Sequence, residues 1–106
     1  MPFRVILLGR AEYDVNAIVD WLIERSPQGA ARWLASFDDA RTNLANNPLG
    51  YGLAPEDDFV DNAIRQIIFK TRRGRRYRAL FTEIENEVRI LHVRGPGQAP
   101  MKASEF

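Results

Sequence analysis

The sequence contains no cysteine and a single histidine, His92, among its 106 residues. The lack of cysteine excludes disulfides, zinc sites built from thiolates and cysteine nucleophiles, and it is typical of a reducing cytosol. One histidine is also too few for a metal centre with several imidazole ligands. We therefore expect a cytoplasmic protein that binds no metal and uses no cofactor.

Long hydrophobic segments are absent as well. No apolar run reaches the roughly 18–20 residues of a membrane-spanning helix, and Met1–Gly9 is too short and too poorly flanked for a secretory signal. We expect no membrane association. Apolar residues make up 45% and charged residues 27% of the chain, an ordinary globular composition. This length predicts one domain, which we place at residues 1–97, followed by a mobile tail at 98–106.

The formal net charge of +1 hides an asymmetry between the two parts of the chain. Residues 1–62 contain five Lys/Arg against ten Asp/Glu, whereas residues 63–106 contain ten against four. The stretch Ala63–Arg78 holds seven bases and no acid, which predicts a local positive potential. Most of these bases fall in a turn-like segment, residues 70–76, which we call the basic tip.

The basic tip has two interpretations. Charged hairpin turns are common, so its bases can form a solvated turn without a partner. Alternatively, the tip binds nucleic acid or a target protein, because six of the seven bases are Arg, which matches phosphate and carboxylate oxygens well. In this second interpretation, the contact residues are Lys70, Arg72, Arg73, Arg75 and Arg76.

Hydrophobic periodicity in the first half predicts one strand and two helices. Phe3–Leu8 is almost continuously apolar, which is typical of an interior strand. From Ala11 onward, apolar residues recur at helical spacing. Ser26-Pro27 then signals the cap and first residue of a second helix, and Asn46-Asn47-Pro48 ends it. The two helices should form an antiparallel hairpin.

Three large aromatic side chains on these helices could either form a binding surface or belong to the hydrophobic core. They are Trp21, Trp33 and Phe37. Aromatic residues at helical spacing belong far more often to a core than to a binding surface. We expect all three in the core.

The loop after the second helix carries a cluster of carboxylates, at Glu56, Asp57, Asp58 and Asp61. Such a cluster can bind a divalent cation or act as general acid and base. No histidine or glycine signature accompanies it, so we interpret it as a solvated acidic loop. Charge sign alone supports a further hypothesis, that the loop pairs with the arginine hairpin.

Three short runs in the second half predict a β-meander. They are Ile64–Phe69, Tyr77–Ile84 and Val88–Val93, each with a strand's length and composition. Alternation in the last strand places Val88 and Ile90 on the same face as His92 and Arg94. The predicted fold is α+β in the order β-α-α-β-β-β, with an antiparallel sheet covered on one face by the helical hairpin.

Several local motifs occur in a familiar order. Ser-Pro opens the second helix, Asn-Pro-x-Gly closes it, Tyr-Arg-Ala-Leu-Phe occupies Tyr77–Phe81, and Val-Arg-Ile-Leu-His-Val-Arg occupies Val88–Arg94. In order and spacing, this pattern resembles the RelE/ParE superfamily of type II toxin–antitoxin toxins, also called plasmid stabilisation proteins. The resemblance covers residues 3 to 97.

The resemblance implies one of two ways to inhibit growth on the same fold. RelE-like members cleave mRNA in the ribosomal A site without a metal, whereas ParE-like members are not nucleases and inhibit DNA gyrase. Both are neutralised by a cognate antitoxin, and the pair commonly represses its own operon by binding operator DNA through the antitoxin. A third alternative is a degenerate toxin that acts only as the partner of its antitoxin.

A metal-independent ribonuclease needs side chains that move protons and stabilise the phosphate. The resemblance assigns phosphate binding to Arg78. A catalytic set could be completed by Arg65, Lys70, His92 and Arg94. Histidine is the side chain whose unperturbed pKa lies near neutrality, although a hydrogen-bonded residue at a strand end is the simpler interpretation of His92.

The rest of the RelE-like pattern is missing. The two lysines that RelE-like enzymes place on the preceding strand fall here near Gln66 and Ile68, which are not basic. The later catalytic arginine and the terminal tyrosine have no counterpart in Gly95–Phe106. These departures favour the ParE-like alternative, in which the basic hairpin and the sheet edge contact the target and no catalytic residue exists.

Overall fold

The structure is a computed structural model that describes residues 2–59, 63–96, 98, 101 and 102. Two helices and four strands follow one another in the predicted order, which confirms the α+β class. Their bounds are β1 Arg4–Leu7, α1 Gly9–Arg25, α2 Pro27–Asn46, β2 Arg65–Phe69, β3 Tyr77–Ile84 and β4 Glu87–Arg94. Two short 3-10 helices, Pro48–Gly50 and Pro55–Phe59, lie between α2 and β2.

The two helices are joined by the single residue Ser26. Its hydroxyl accepts a hydrogen bond from the Gly29 N–H at 3.0 Å, and Pro27 occupies the first turn of α2, where no intrahelical donor is needed. Because the connection is so short, α1 and α2 pack directly against each other. The predicted helical hairpin is confirmed.

The sheet is mixed, in the strand order β1-β4-β3-β2. β1 runs parallel to β4, while β4, β3 and β2 are antiparallel neighbours. The predictions of a purely antiparallel sheet and of an interior first strand are therefore wrong, since β1 lies at an edge. Its continuous apolar run has another cause. Val5 and Leu7 pack against the helix-side core, while Ile6, on the opposite face, is also half-buried.

A β-bulge in β4 changes which residues share a face. Leu80 pairs with His92, but the next residue of β3, Phe81, pairs with Ile90, so Leu91 is the extra residue. Beyond the bulge the alternation reverses, and Val93 rather than His92 joins Val88 and Ile90 in the helix-side core. The prediction that Val88, Ile90, His92 and Arg94 share one face is therefore wrong.

Both faces of the sheet carry an apolar cluster. On the helix side, the rings of Trp33 and Phe37 stack with their centroids 5.6 Å apart, which confirms the core prediction for these two residues. Trp21 contradicts that prediction, because 53% of its surface is exposed. It lies beside, not on, the α1 stripe that packs inward, and that stripe consists of Ala11, Val15, Ile18, Val19 and Leu22.

The opposite face of the sheet is covered by the loop before β2 and by one residue after β4. Ala54 and Ile64 pack there with Leu80 and Met101, and all four are buried. Met101 belongs to the segment predicted to be a mobile tail, yet it is 1% exposed. The mobility of that segment stays a prediction.

Candidate functional site

The basic tip is the turn between β2 and β3. The Gly74 N–H donates to the Thr71 carbonyl at 3.1 Å, and a Cβ at Gly74 would collide with the Thr71 side chain, so glycine suits this turn. The predicted contact residues of the tip are all exposed, namely Lys70, Arg72, Arg73, Arg75 and Arg76. None of them forms a salt bridge with another residue that the structure describes.

Arg78 is in the opposite situation, although it belongs to the same basic stretch. Its Nη1 donates to Oε1 of Glu56 at 2.8 Å and its Nη2 to Oε2 at 2.6 Å, a bidentate pair. Nη1 also lies 3.2 Å from the amide oxygen of Gln66. The Arg78 side chain is 17% exposed, and that of Glu56 is fully buried.

Glu56 connects three segments of the chain. Besides Arg78 on β3, its Oε2 accepts the backbone N–H of Met101 at 2.9 Å. Burial alone would raise the pKa of Glu56, but the hydrogen bonds from Arg78 and Met101, together with the charge of Arg78, lower it from 4.5 to about 2. Glu56 is therefore a permanently ionised structural anion at neutral pH.

The prediction of a solvated acidic loop is wrong for Glu56. The hypothesis of acid–arginine pairing holds in a changed form, because the partner is Arg78 in β3 and not the basic tip. Asp57 also has a structural contact, since its Oδ1 accepts the Ile64 N–H at 2.8 Å. The side chain of Asp58 and the whole of Asp61 lie outside the described residues.

Two of the other candidate catalytic residues lie away from Arg78. Arg65 stands in register with Phe81 of the helix-side core, and its Nη1 donates to the Tyr51 carbonyl at 2.7 Å. Lys70 lies at the start of the exposed tip, and its carbonyl accepts the Ser36 hydroxyl at 3.0 Å. The structure does not bring these two side chains into one site with Arg78.

The remaining two candidates, His92 and Arg94, lie on β4, which is paired with the strand of Arg78. Across β3 and β4, Arg94 is the direct partner of Arg78 and His92 is the direct partner of Leu80. His92 is 5% exposed, and its Nδ1 lies 3.9 Å from Oδ2 of Asp14 on α1.

Within the described residues, no group of three His, Cys, Asp or Glu side chains could hold a metal ion. Within the same residues, neither helix is long and apolar enough to cross a bilayer.

A groove of about 670 Å³ lies between α1, the start of α2, the basic tip and the end of β4. Its wall is mainly apolar, formed by Ile18, Trp21, Leu22, Trp33, Tyr77 and Val93. Its lining also contains two charged residues, Asp14 and Arg75. Burial raises the pKa of Tyr77, and the positive charge of Arg75 works against that rise. Sequence reasoning missed this groove. The available signal was Trp21, a large aromatic residue one position off the inward stripe of α1.

The chain is similar to known toxins of bacterial toxin–antitoxin systems. Residues 5–100 match the family model described as the ParE toxin of the type II toxin–antitoxin system parDE. Toxin RelE1 of Caulobacter vibrioides is 38% identical over 48 residues, which cover 45% of this chain and 52% of that protein. The match therefore spans about half the length of this curated relative.

A solved structure described as the chromosomal ParDE TA system from P. aeruginosa has the same fold. It superposes with a TM-score of 0.64 at 18% identity, covering 87% of this chain and 94% of the other. This likeness supports the architecture, while the family assignment rests on the match over residues 5–100. The chain belongs to the ParE toxin family of type II toxin–antitoxin systems.

Proposed function

We propose that this toxin inhibits growth by binding its target, DNA gyrase, and not by cutting RNA. The observation that carries the proposal is the state of Arg78, whose two terminal nitrogens are both bound by the buried carboxylate of Glu56. A phosphate-binding arginine offers a fork of N–H donors to the substrate, and three of the five donors of Arg78 are already taken up by Glu56 and Gln66. Releasing them here would leave Glu56 as an unpaired buried charge, which costs about 3–5 kcal/mol.

The placement of the basic residues supports a binding mode. All five bases of the tip are exposed within one short turn, and arginine forks at an exposed turn suit an acidic protein surface or a DNA backbone. In this function the partners are DNA gyrase and a cognate antitoxin that neutralises the toxin. Operator DNA is reached through that antitoxin, and the site of action is the cytoplasm.

A gyrase supercoiling assay with purified toxin tests the proposal. We expect inhibition by the native chain and a loss of about tenfold or more when Arg72 and Arg73 are both changed to Ser, since two exposed contact arginines are removed. The matched control changes Arg4 and Arg32, which are equally exposed but lie outside the tip. Equal inhibition by both double variants would contradict a role for the tip.

The alternative of a ribosome-dependent ribonuclease is favoured by one observation, the alignment of Arg78, His92 and Arg94 on neighbouring strands. Cell-free translation with mapping of mRNA 5′ ends decides it. Codon-phased ends that require ribosomes and disappear with His92→Gln would establish the ribonuclease and overturn gyrase binding. A chain inactive in both assays would instead be a degenerate toxin.

A further inference from the structure

The basic tip contains no apolar side chain. Residues 70–76 are Lys, Thr, Gly and four Arg, and the rings that flank them, Phe69 and Tyr77, pack inward against Trp33. Stable contacts between proteins depend on a buried, mainly apolar centre with a few large anchoring side chains. Contacts with a phosphate backbone need only hydrogen-bond donors and positive charge. The composition of the tip therefore favours nucleic acid over a protein surface.

The turn places two arginines at its apex. The Gly74 N–H donates to the Thr71 carbonyl at 3.1 Å, which makes Arg72 and Arg73 the two central residues of a four-residue turn. Both side chains are exposed, and neither forms a salt bridge within the part of the chain that the structure describes. Each guanidinium therefore offers its fork of N–H donors to a partner.

The base of this hairpin is fixed to α2. The Ser36 hydroxyl donates to the Lys70 carbonyl at 3.0 Å, and the ring centroid of Trp33 lies 5.6 Å from that of Phe69 and 5.4 Å from that of Tyr77. A turn that is already held in place loses little conformational freedom when it binds. A two-stranded ribbon of this kind is also narrow enough to enter the major groove of B-form DNA.

The sheet carries opposite charges at its two ends. The basic tip lies at one end of β3, and the region of the turn from β3 to β4, at the other end, contains Glu83, Glu85 and Glu87. The eight residues of β3 separate the two ends by about 23 Å, at about 3.3 Å per residue. Charges are largely screened beyond about 8 Å at physiological ionic strength. The acids therefore do not neutralise the tip, and they turn the opposite end of the sheet away from a polyanion.

We propose that the basic tip binds the phosphate backbone of double-helical DNA. Arg72 and Arg73 make the central phosphate contacts, and the remaining bases of the tip extend the contact along the backbone. Because phosphates carry no sequence information, this binding is independent of sequence. The consequence for gyrase rests on the function proposed above: the toxin contacts gyrase and its DNA together, so it prefers the DNA-bound enzyme. The DNA contact itself does not depend on that function.

Single-stranded nucleic acid fits the tip less well. Proteins that bind single strands combine positive charge with aromatic rings on which bases stack. The aromatic residues next to the tip, Phe69 and Tyr77, are stacked on each other with centroids 6.0 Å apart, and Trp33 packs against both. They offer no open platform. A duplex also presents phosphates more densely, with one charge per about 1.7 Å of helix axis.

Fluorescence anisotropy with a short labelled DNA duplex and the native chain tests the proposal without gyrase. Contacts from at least three bases of the tip predict a slope of about 2.7 or more when the logarithm of Kd is plotted against the logarithm of salt concentration. The Kd should therefore rise about 40-fold between about 50 and 200 mM salt.

Two double variants with the same change in net charge locate the contact. Changing Arg72 and Arg73 to Ser should lower the slope by about 2 and raise the Kd at low salt about tenfold or more. Changing Arg4 and Arg32 to Ser removes two exposed charges outside the tip, and the slope should stay unchanged. Circular dichroism checks that both variants are folded.

Three outcomes would overturn the proposal. The first is no anisotropy change at low salt, and the second is an equal loss of affinity in the two double variants, which would assign binding to overall charge. The third is tighter binding of a single strand or of an RNA duplex with the same sequence.

The DNA titration and the gyrase assay fail independently. If the tip variant loses gyrase inhibition while the native chain binds no DNA, the tip contacts the gyrase protein and the function proposed above stands. If the native chain binds the duplex through the tip but does not inhibit gyrase, the proposed function is wrong and the DNA contact stands.

Discussion

The arginines of the basic tip and Arg78 come from one continuous basic stretch, yet the fold gives them opposite physical states. At the tip the guanidinium groups are exposed and make no salt bridge with any described residue, whereas Arg78 is locked onto the buried carboxylate of Glu56. An exposed arginine keeps its hydrogen-bond donors for a partner, while a bidentate buried pair uses them to hold the fold. Charge density in a sequence therefore does not show which arginine can bind a ligand.

The substitution Glu56→Ala tests most directly whether Arg78, unlike the arginines of the tip, has a structural role. The variant leaves Arg78 as an uncompensated charge in a mostly buried site and removes the acceptor of the Met101 N–H. We expect a loss of about 3–5 kcal/mol in the free energy of unfolding, measured by urea denaturation. The control is Glu24→Gln, since the Glu24 side chain is 77% exposed. A loss below about 1 kcal/mol for Glu56→Ala would contradict a structural role for the pair.

Lowering the pH should weaken the ion pair between Glu56 and Arg78 in the native chain. The pKa of Glu56 is about 2 in the folded chain against an ordinary value of 4.5, so the ionised form is favoured by folding. Its contribution, about 3 kcal/mol, is fully present above pH 4.5 and is lost as the pH falls from there through 2. Urea unfolding across this pH window should show the decline in the native chain and a flatter profile in Glu56→Gln. Parallel profiles would show that other carboxylates cause the decline.

The smallest effect on stability is expected at the tip. Changing Arg72 and Arg73 to Ser should move the free energy of unfolding by no more than about 0.5 kcal/mol, because exposed side chains without packed contacts contribute little. In the proposed function, the same pair of changes weakens gyrase inhibition about tenfold or more. Thermal unfolding beside the supercoiling assay would separate the two effects, and a large stability loss would show that the tip has a structural contact.

Local signals predicted the elements well. Ser26-Pro27 marked the boundary between the helices because a cap and a first-turn proline act within one turn of chain. The apolar stripe of α1 and the three strand-length runs likewise depend on neighbours in sequence. These signals fixed the α+β class and the order of elements, and they showed the tip as an exposed hairpin turn.

Non-local contacts explain what the sequence could not reveal. The parallel pairing of β1 with β4 and the extra residue at Leu91 depend on how distant strands meet, so the edge position and the reversed face of His92 were missed. Glu56 and Arg78 are joined across 22 positions, and nothing in the loop sequence distinguishes Glu56 from its acidic neighbours. The groove required the side-by-side placement of α1, the tip and the end of β4.

The pairing of Arg4 with Glu87 has a consequence for the newly synthesised chain. During translation, β1 leaves the ribosome first and β4 leaves it last. β1 therefore cannot pair with β4 until almost the whole domain has emerged. The helical hairpin can close early, because its two halves are adjacent in sequence, but the sheet edge cannot. During this interval Val5 and Leu7 remain without their final packing, and nascent toxin is at its most aggregation-prone just before translation reaches the last strand.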